Sequence, residues 1–181
     1  LFELECPEIY DGTVEIKSTS RAPGSRSKIA VISNDPNVDA VGACIGTQKS
    51  RINAVTKELK GEKVDVVLYS DDPEEFIKQA LKPAEVLRVV INDPHVRACK
   101  AIVPDNQLSL AIGNKGQNAL LAAKLTGFKI DIKAESKVTP EDLEVIEYPE
   151  EEEQPEAAEN TEAEQAEVLA AAAEETAGTE E

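Results

Sequence analysis

The chain has 181 residues, with 36 acidic against 19 basic, one histidine, three cysteines and 3% aromatic residues. No apolar run approaches the ~20 residues that cross a bilayer and no charged–apolar–small leader pattern opens the chain, so it reads as cytoplasmic. Charge divides it sharply: beyond Lys137 there is no Lys or Arg, yet 17 acidic residues lie between Glu141 and Glu181, so residues 1–137 balance and the overall acidity does not exclude a polyanionic partner.

Apolar residues at 1, 2, 4, 6 and 9 have helical spacing, broken at Pro7 and ended at Asp11-Gly12. The start at Leu1, inside an apolar pattern, reads as the interior of a longer protein. Residues 14–18 alternate as a strand, 21–27 form a basic Gly/Pro/Ser-rich loop, and 28–33 form an apolar, buried strand. Helices are expected over 38–45 and 50–59 and a strand over 64–69. Asp72-Pro73-Glu74-Glu75 then announces a new helix, with Asp as cap, Pro at the first helical position and Glu placed to bond back to the cap. It runs to Leu81 and stops at Lys82-Pro83. Residues 86–92 and 96–103 read as a hairpin around Asp93-Pro94, 105–112 and 117–126 as helices, and 128–133 as a strand.

The order helix, strand, strand, helix, helix, strand therefore occurs twice. Each unit has ~65 residues, a size at which one core is marginal, so the two are expected to pack rigidly on each other with almost no free linker near Ser70-Asp71. The domains are read as 1–70, 71–137 and an acidic tail over 138–181. In that tail 139–142 has the pattern of one short helical turn and 166–175 of a transient helix. From Pro149 onward Glu and Ala dominate, too little apolar surface to offset the entropy of ordering.

Between the second pair of helices lies Gly113-Asn114-Lys115-Gly116. Gly113 is expected to close the first helix in the left-handed conformation, and Gly116 to leave room at the start of the next, where unpaired N–H groups and the positive dipole end attract an anion. Lys115 adds a mobile cation. A lone G-x-x-G is a weak signal, but 67 residues earlier Val41-Gly42-Ala43-Cys44-Ile45-Gly46-Thr47-Gln48-Lys49-Ser50 aligns with Leu108-Ser109-Leu110-Ala111-Ile112-Gly113-Asn114-Lys115-Gly116-Gln117. Gly61-Glu62-Lys63-Val64-Asp65-Val66 likewise matches Gly127-Phe128-Lys129-Ile130-Asp131-Ile132 at a spacing of 66, which marks a tandem duplication. Both loops sit in basic surroundings: Lys49, Arg51, Lys57, Lys60 and Lys63 outnumber Glu58 and Glu62, and Lys115, Lys124, Lys129 and Lys133 face only Asp131.

No catalytic constellation is present: no G-x-x-x-x-G-K-[ST], no H-E-x-x-H, and His95 falls in a turn. Asp71-Asp72 reads as a cap rather than a metal site, and Cys6, Cys44 and Cys99, far apart and without a C-x-x-C, read as buried hydrophobes. Neither a metal nor a cofactor is expected. Six scattered aromatics, Phe2, Tyr10, Tyr69, Phe76, Phe128 and Tyr148, give no base-stacking platform. A KH module needs only the glycine loop, a helix start and an apolar groove.

Asn34-Asp35-Pro36-Asn37-Val38-Asp39 with Gly42-Ala43-Cys44-Ile45-Gly46, and Gln107-Leu108-Ser109-Leu110-Ala111-Ile112-Gly113 with Gly116-Gln117-Asn118, resemble the paired KH domains of the NusA family of bacterial transcription termination/antitermination proteins over about residues 1–133. The resemblance implies an α+β fold of two tandem type II KH domains, each a three-stranded mixed sheet covered by helices. It implies single-stranded RNA held at Gly113, Asn114, Lys115, Gly116, Gln117, Asn118 and Lys124, and at Gly46, Thr47, Gln48, Lys49, Ser50 and Arg51. It also implies a monomeric transcription elongation factor that modulates pausing, termination and antitermination. Such a factor holds RNA polymerase through an N-terminal domain, with an S1 domain before the KH pair, both outside this sequence, and other transcription factors are further candidate partners. Two other readings stay open: a KH protein of the ribosome or RNA-decay machinery, and a protein-interaction adaptor acting through the acidic tail. Two departures from the family pattern stand out. Lys49 replaces the final glycine of the first loop, which predicts poorer backbone approach there, and Leu120 stands where the family usually has Arg, at an expected exposed position.

Overall fold

The computed structural model describes residues 1–93 and 95–143, which lie in one compact unit. Pro94 of the expected hairpin turn, and the Glu/Ala-rich segment with its expected helix at 166–175, lie outside the described residues.

The first repeat opens with α1 (Phe2–Glu5) and α2 (Pro7–Tyr10), divided where Pro7 takes the first helical position of α2 and so needs no N–H partner. Strand β1 (Val14–Ala22) pairs antiparallel with β2 (Arg26–Ser33), helices α3 (Ala40–Ile45) and α4 (Ser50–Glu58) follow, and β3 (Lys63–Leu68) returns parallel to β2. The second repeat runs α5 (Pro73–Ala80), β4 (Arg88–Asp93), β5 (Ala98–Val103), α6 (Leu108–Ile112), α7 (Gln117–Thr126) and β6 (Lys129–Ala134), with β4 antiparallel and β6 parallel to β5. Strand orders β1-β2-β3 and β4-β5-β6 are the same in both sheets. The duplication extends to register: Arg26 opposes Lys63 as Ala98 opposes Lys129.

The expected basic loop at 21–27 is shorter in the structure, because β1 continues to Ala22 and β2 begins at Arg26. The cause is one carboxylate. Glu62, 1% exposed, accepts from Arg21 Nε at 2.9 Å, from Gly24 N at 2.9 Å and from the Ser27 hydroxyl, which ties the hairpin tip to the start of β3. The Arg21 guanidinium, then Ser27, hold its pKa down to about 2.

At α5, Asp72 caps as expected, accepting from Glu74 N at 3.0 Å. The expected return bond from the third helical residue is absent: Glu75 accepts from Gln79 instead, while the Asp72 N–H donates to the Ser70 hydroxyl. The nearby serine supplies locally what a capping box would have reached for.

Alternation along β2 sends its side chains to two different cores. Ile29 and Val31 join Cys44, Val55 and Val64 beneath α3 and α4. Ala30 faces the other way and, with Val67, joins Phe76, Ile77 and Leu81 of the α5 region and Ala122 and Leu125 of α7. The first sheet is thus covered on both faces, the second time by the other repeat. Ser18 Oγ donates to the Leu125 carbonyl at 2.7 Å, and Ser25 exchanges hydrogen bonds with the Gln117 side chain. The three cysteines are buried and free, with burial pushing the thiols of Cys44 and Cys99 up to about 12.

Residues 138–143, placed with the tail by composition, pack on the second sheet. Pro140–Leu143 forms one 3-10 turn, and buried Asp142 accepts from Lys133 at 2.6 Å, Lys100 at 2.9 Å and Thr139 N at 2.9 Å. These donors hold its pKa well below the usual carboxylate range, Lys133 foremost.

Candidate nucleic-acid interface

The two glycine loops have one backbone. Gly46 and Gly113 have φ/ψ of 72/169 and 76/175, Gln48 and Lys115 are both at 53/30, and Lys49 and Gly116 are at 62/25 and 75/10. The glycine roles are the reverse of those expected from sequence. Gly113 combines positive φ with extended ψ, a region almost confined to glycine, and a Cβ there would lie 2.7 Å from Asn118 Cβ and 2.9 Å from Asn118 N. Gly116 is the left-handed residue, and a Cβ on it meets nothing within 4 Å. Lys49 therefore fits where Gly116 sits. Its side chain leaves the loop without a clash, and the backbone approach that the missing glycine put in question is conformationally intact.

Each loop delivers the chain into a helix without a side-chain cap. That contrasts with α3 and α5, whose first-turn donors are taken by Asp39 and Asp72. The N–H groups of Ser50 and Gln117 turn back to the Thr47 and Asn114 carbonyls, and no side chain covers the rest of either first turn, which lies at the positive end of the helix dipole. Asn114, Lys115, Thr47, Gln48, Lys49 and Ser50 are exposed at the two tips.

Other expected contact residues point elsewhere. Asn118 is 3% exposed and donates to the carbonyls of Ala111, at 2.9 Å, and Leu81, at 3.1 Å, so it braces the loop from within. Arg51 holds the same position in the first loop; it donates to the Ala43 carbonyl and to Glu8, each at 2.7 Å. Gln117 is engaged by Ser25, and Lys124 lies two turns along α7 from the tip, on the order of 10 Å away. Leu120 is 56% exposed, as its alignment with exposed Asn53 predicts.

Beside the first loop, α4 and edge strand β3 enclose a groove of about 650 Å³, lined by Ile45, Lys49, Ile52, Asn53, Thr56 and residues 63–67. Its apolar walls and open strand edge suit a planar, partly polar guest. Sequence reasoning missed two of its features. Lys82 and Pro83 of the second repeat also line it, and Lys28 lies fully buried next to it, its pKa lowered by burial. A lone lysine inside the apolar run 28–33 was the available signal.

Two helix–glycine loop–helix units, each feeding the edge strand of a three-stranded mixed sheet, define a tandem KH protein. Residues 1–69 match the NusA-like first KH domain and residues 73–140 the NusA-like second KH domain. The transcription termination/antitermination protein NusA of Bacillus subtilis is 60% identical over 136 residues, 75% of this chain and 36% of that protein. NusA of Mycobacterium tuberculosis is 53% identical over 140 residues, 77% of this chain and 40% of its own length, and NusA of Thermus thermophilus 53% over 130, 72% and 33%. The chain thus belongs, through its KH pair, to the NusA family, and it spans little more than a third of these relatives' length. The crystal structure of APE1850 shares the fold alone, with a TM-score of 0.53 at 22% identity over 72% of this chain and 96% of that one.

Proposed function

We propose that this chain binds single-stranded RNA on its two glycine loops in succession, as the RNA-holding part of a cytoplasmic transcription elongation factor that acts on pausing, termination and antitermination. The observation that carries the reading is the pair of conformationally matched loops, each opening onto an uncapped helix N-terminus with an exposed lysine at the tip. Phosphates are held at Gly113 to Gly116 and at Gly46 to Lys49, and bases lie in the adjoining groove. Asn118 and Arg51 shape the loops rather than touch RNA. RNA polymerase is engaged mainly by parts of the longer protein outside this sequence. The role is binding and not catalysis, consistent with the names of the relatives.

The test is Asn114→Asp combined with Lys115→Asp, titrated with single-stranded RNA at two salt concentrations alongside a thermal melt. Two charges of the wrong sign at the phosphate position are expected to abolish most binding and to flatten the salt dependence by ~0.7 per lost contact. Stability should move by within about 0.5 kcal/mol, because both side chains are exposed. Undiminished affinity in the folded double variant would instead favour the adaptor role.

A further inference from the structure

We propose that Lys82, at the corner Leu81-Lys82-Pro83 between the repeats, is a further RNA-contacting residue, its ammonium receiving a phosphate where the strand leaves the first groove for the second glycine loop. The inference rests on the RNA-binding reading above.

The corner belongs to the second repeat yet closes the groove of the first, since Lys82 and Pro83 line it together with Lys49 and Asn53. Its backbone is fixed from three directions. Lys28 Nζ donates to the Lys82 carbonyl at 2.6 Å, Asn118 Nδ2 to the Leu81 carbonyl at 3.1 Å, and the Lys82 N–H to the Gln79 carbonyl at 3.1 Å. Asn118 is also the residue that lies against Gly113 and bonds the Ala111 carbonyl. One short corner therefore walls the first groove and buttresses the second loop, which puts it on the path of any strand that uses both.

Among the described residues that line the groove, Lys49, Lys63 and Lys82 are exposed and make no ion pair, and of these Lys82 alone comes from the second repeat. Arg26 makes a two-point ion pair with Asp65, at 2.7 and 3.0 Å, and Lys28 lies 3.3 Å from the same carboxylate. Arg51 is paired with Glu8. These three cations are occupied. The Lys82 side chain is exposed and makes no ion pair among the described residues, so the second repeat presents a mobile ammonium to the first repeat's groove. A compact charge on a flexible stem suits a phosphate whose exact position varies with the base sequence.

The experiment compares Lys82→Ala, Lys82→Arg and Lys137→Ala in the full chain. Lys137 is exposed on the 3-10 turn Glu135–Lys137, after β6, and controls for net charge. Probes are unstructured RNAs of about 12 nucleotides and of about four, the length one KH module clamps. For Lys82→Ala the expected result is weaker binding of the longer RNA, with a salt slope shallower by ~0.7, equivalent to a roughly 2.5-fold smaller loss of affinity between about 50 and 200 mM salt. Lys82→Arg should restore the slope, Lys137→Ala should leave it unchanged, and all three should melt like the parent. An unchanged slope in Lys82→Ala, or an equal fall in Lys137→Ala, would overturn the assignment of Lys82 while leaving RNA binding intact. A parent chain that binds neither RNA would overturn both.

Discussion

The sharpest expectation concerns the two glycines of the second loop, because a purely compositional view of G-x-x-G treats them alike and the structure does not. Gly113→Ala places a methyl carbon 2.7 Å from Asn118 Cβ and 2.9 Å from its backbone nitrogen, and α7 begins one residue earlier, so the obstruction is a helix start rather than a flexible side-chain end. A non-glycine residue in this backbone region adds about 1–3 kcal/mol of strain, and overpacking against a fixed neighbour adds about 1–3 kcal/mol more. Gly116→Ala meets open space and incurs only the left-handed penalty, about 1–2 kcal/mol, part of which is returned because alanine has less conformational entropy to lose. With a urea dependence of roughly 2 kcal/mol per molar for a body of this size, the unfolding midpoint should fall by more than about 1 M for Gly113→Ala and by about half a molar or less for Gly116→Ala. Equal shifts, or a larger one at Gly116, would refute the reasoning that clearance over Asn118 makes Gly113 obligatory.

Lys49→Gly should relieve the left-handed strain and raise stability by about 1 kcal/mol in urea unfolding, yet weaken binding of an RNA long enough to span both modules, because the groove loses a cation while the backbone gains no new approach. Tighter RNA binding would instead show that the side chain obstructs the loop. The Glu62 carboxylate, held at about 2 in the fold against an ordinary value of 4.5, contributes stability that is complete above about pH 4.5 and is lost as pH falls through 2. Glu62→Gln should therefore be less stable than the parent at pH 7, with the two converging on acidification between those values in circular-dichroism melts. Truncation after Lys137 removes Asp142 and should lower the melting temperature, whereas truncation after Leu143 keeps its bonds to Lys100 and Lys133 and should not. If the acidic segment beyond 143 competes with RNA, the second truncation should tighten RNA binding at low salt, where its charges reach furthest; equal affinities would leave it a solubilising extension.

The element order and the duplication were legible in the sequence because both rest on local signals: apolar period, turn glycines and the Asp72 cap. Chain-distant facts were not. Nothing near Asn118 announces that its amide turns inward to Leu81 and Ala111, and it entered the expected contacts through the family resemblance. The engagement of Arg51 was hidden likewise, since its partner Glu8 lies 43 positions away. The hairpin at 21–27 looked like a loop because Gly, Pro and Ser outweigh the pairing that Glu62 imposes from the next strand. Lys28, within an apolar run, was the one visible anomaly, and its explanation lies in the other repeat.

A core that runs from β2 and β3 through α5 into α7 makes the distance between the glycine loops a constant of the protein. Two RNA-binding modules on a tether can adjust their separation to whatever strand arrives. If one RNA strand uses both loops, as proposed, the protein acts as a ruler. An RNA with one nucleotide too many between its two contact points has to bulge, and one with too few has to release a module. Selectivity can then reside in the spacing of short sequence elements as much as in the identity of their bases.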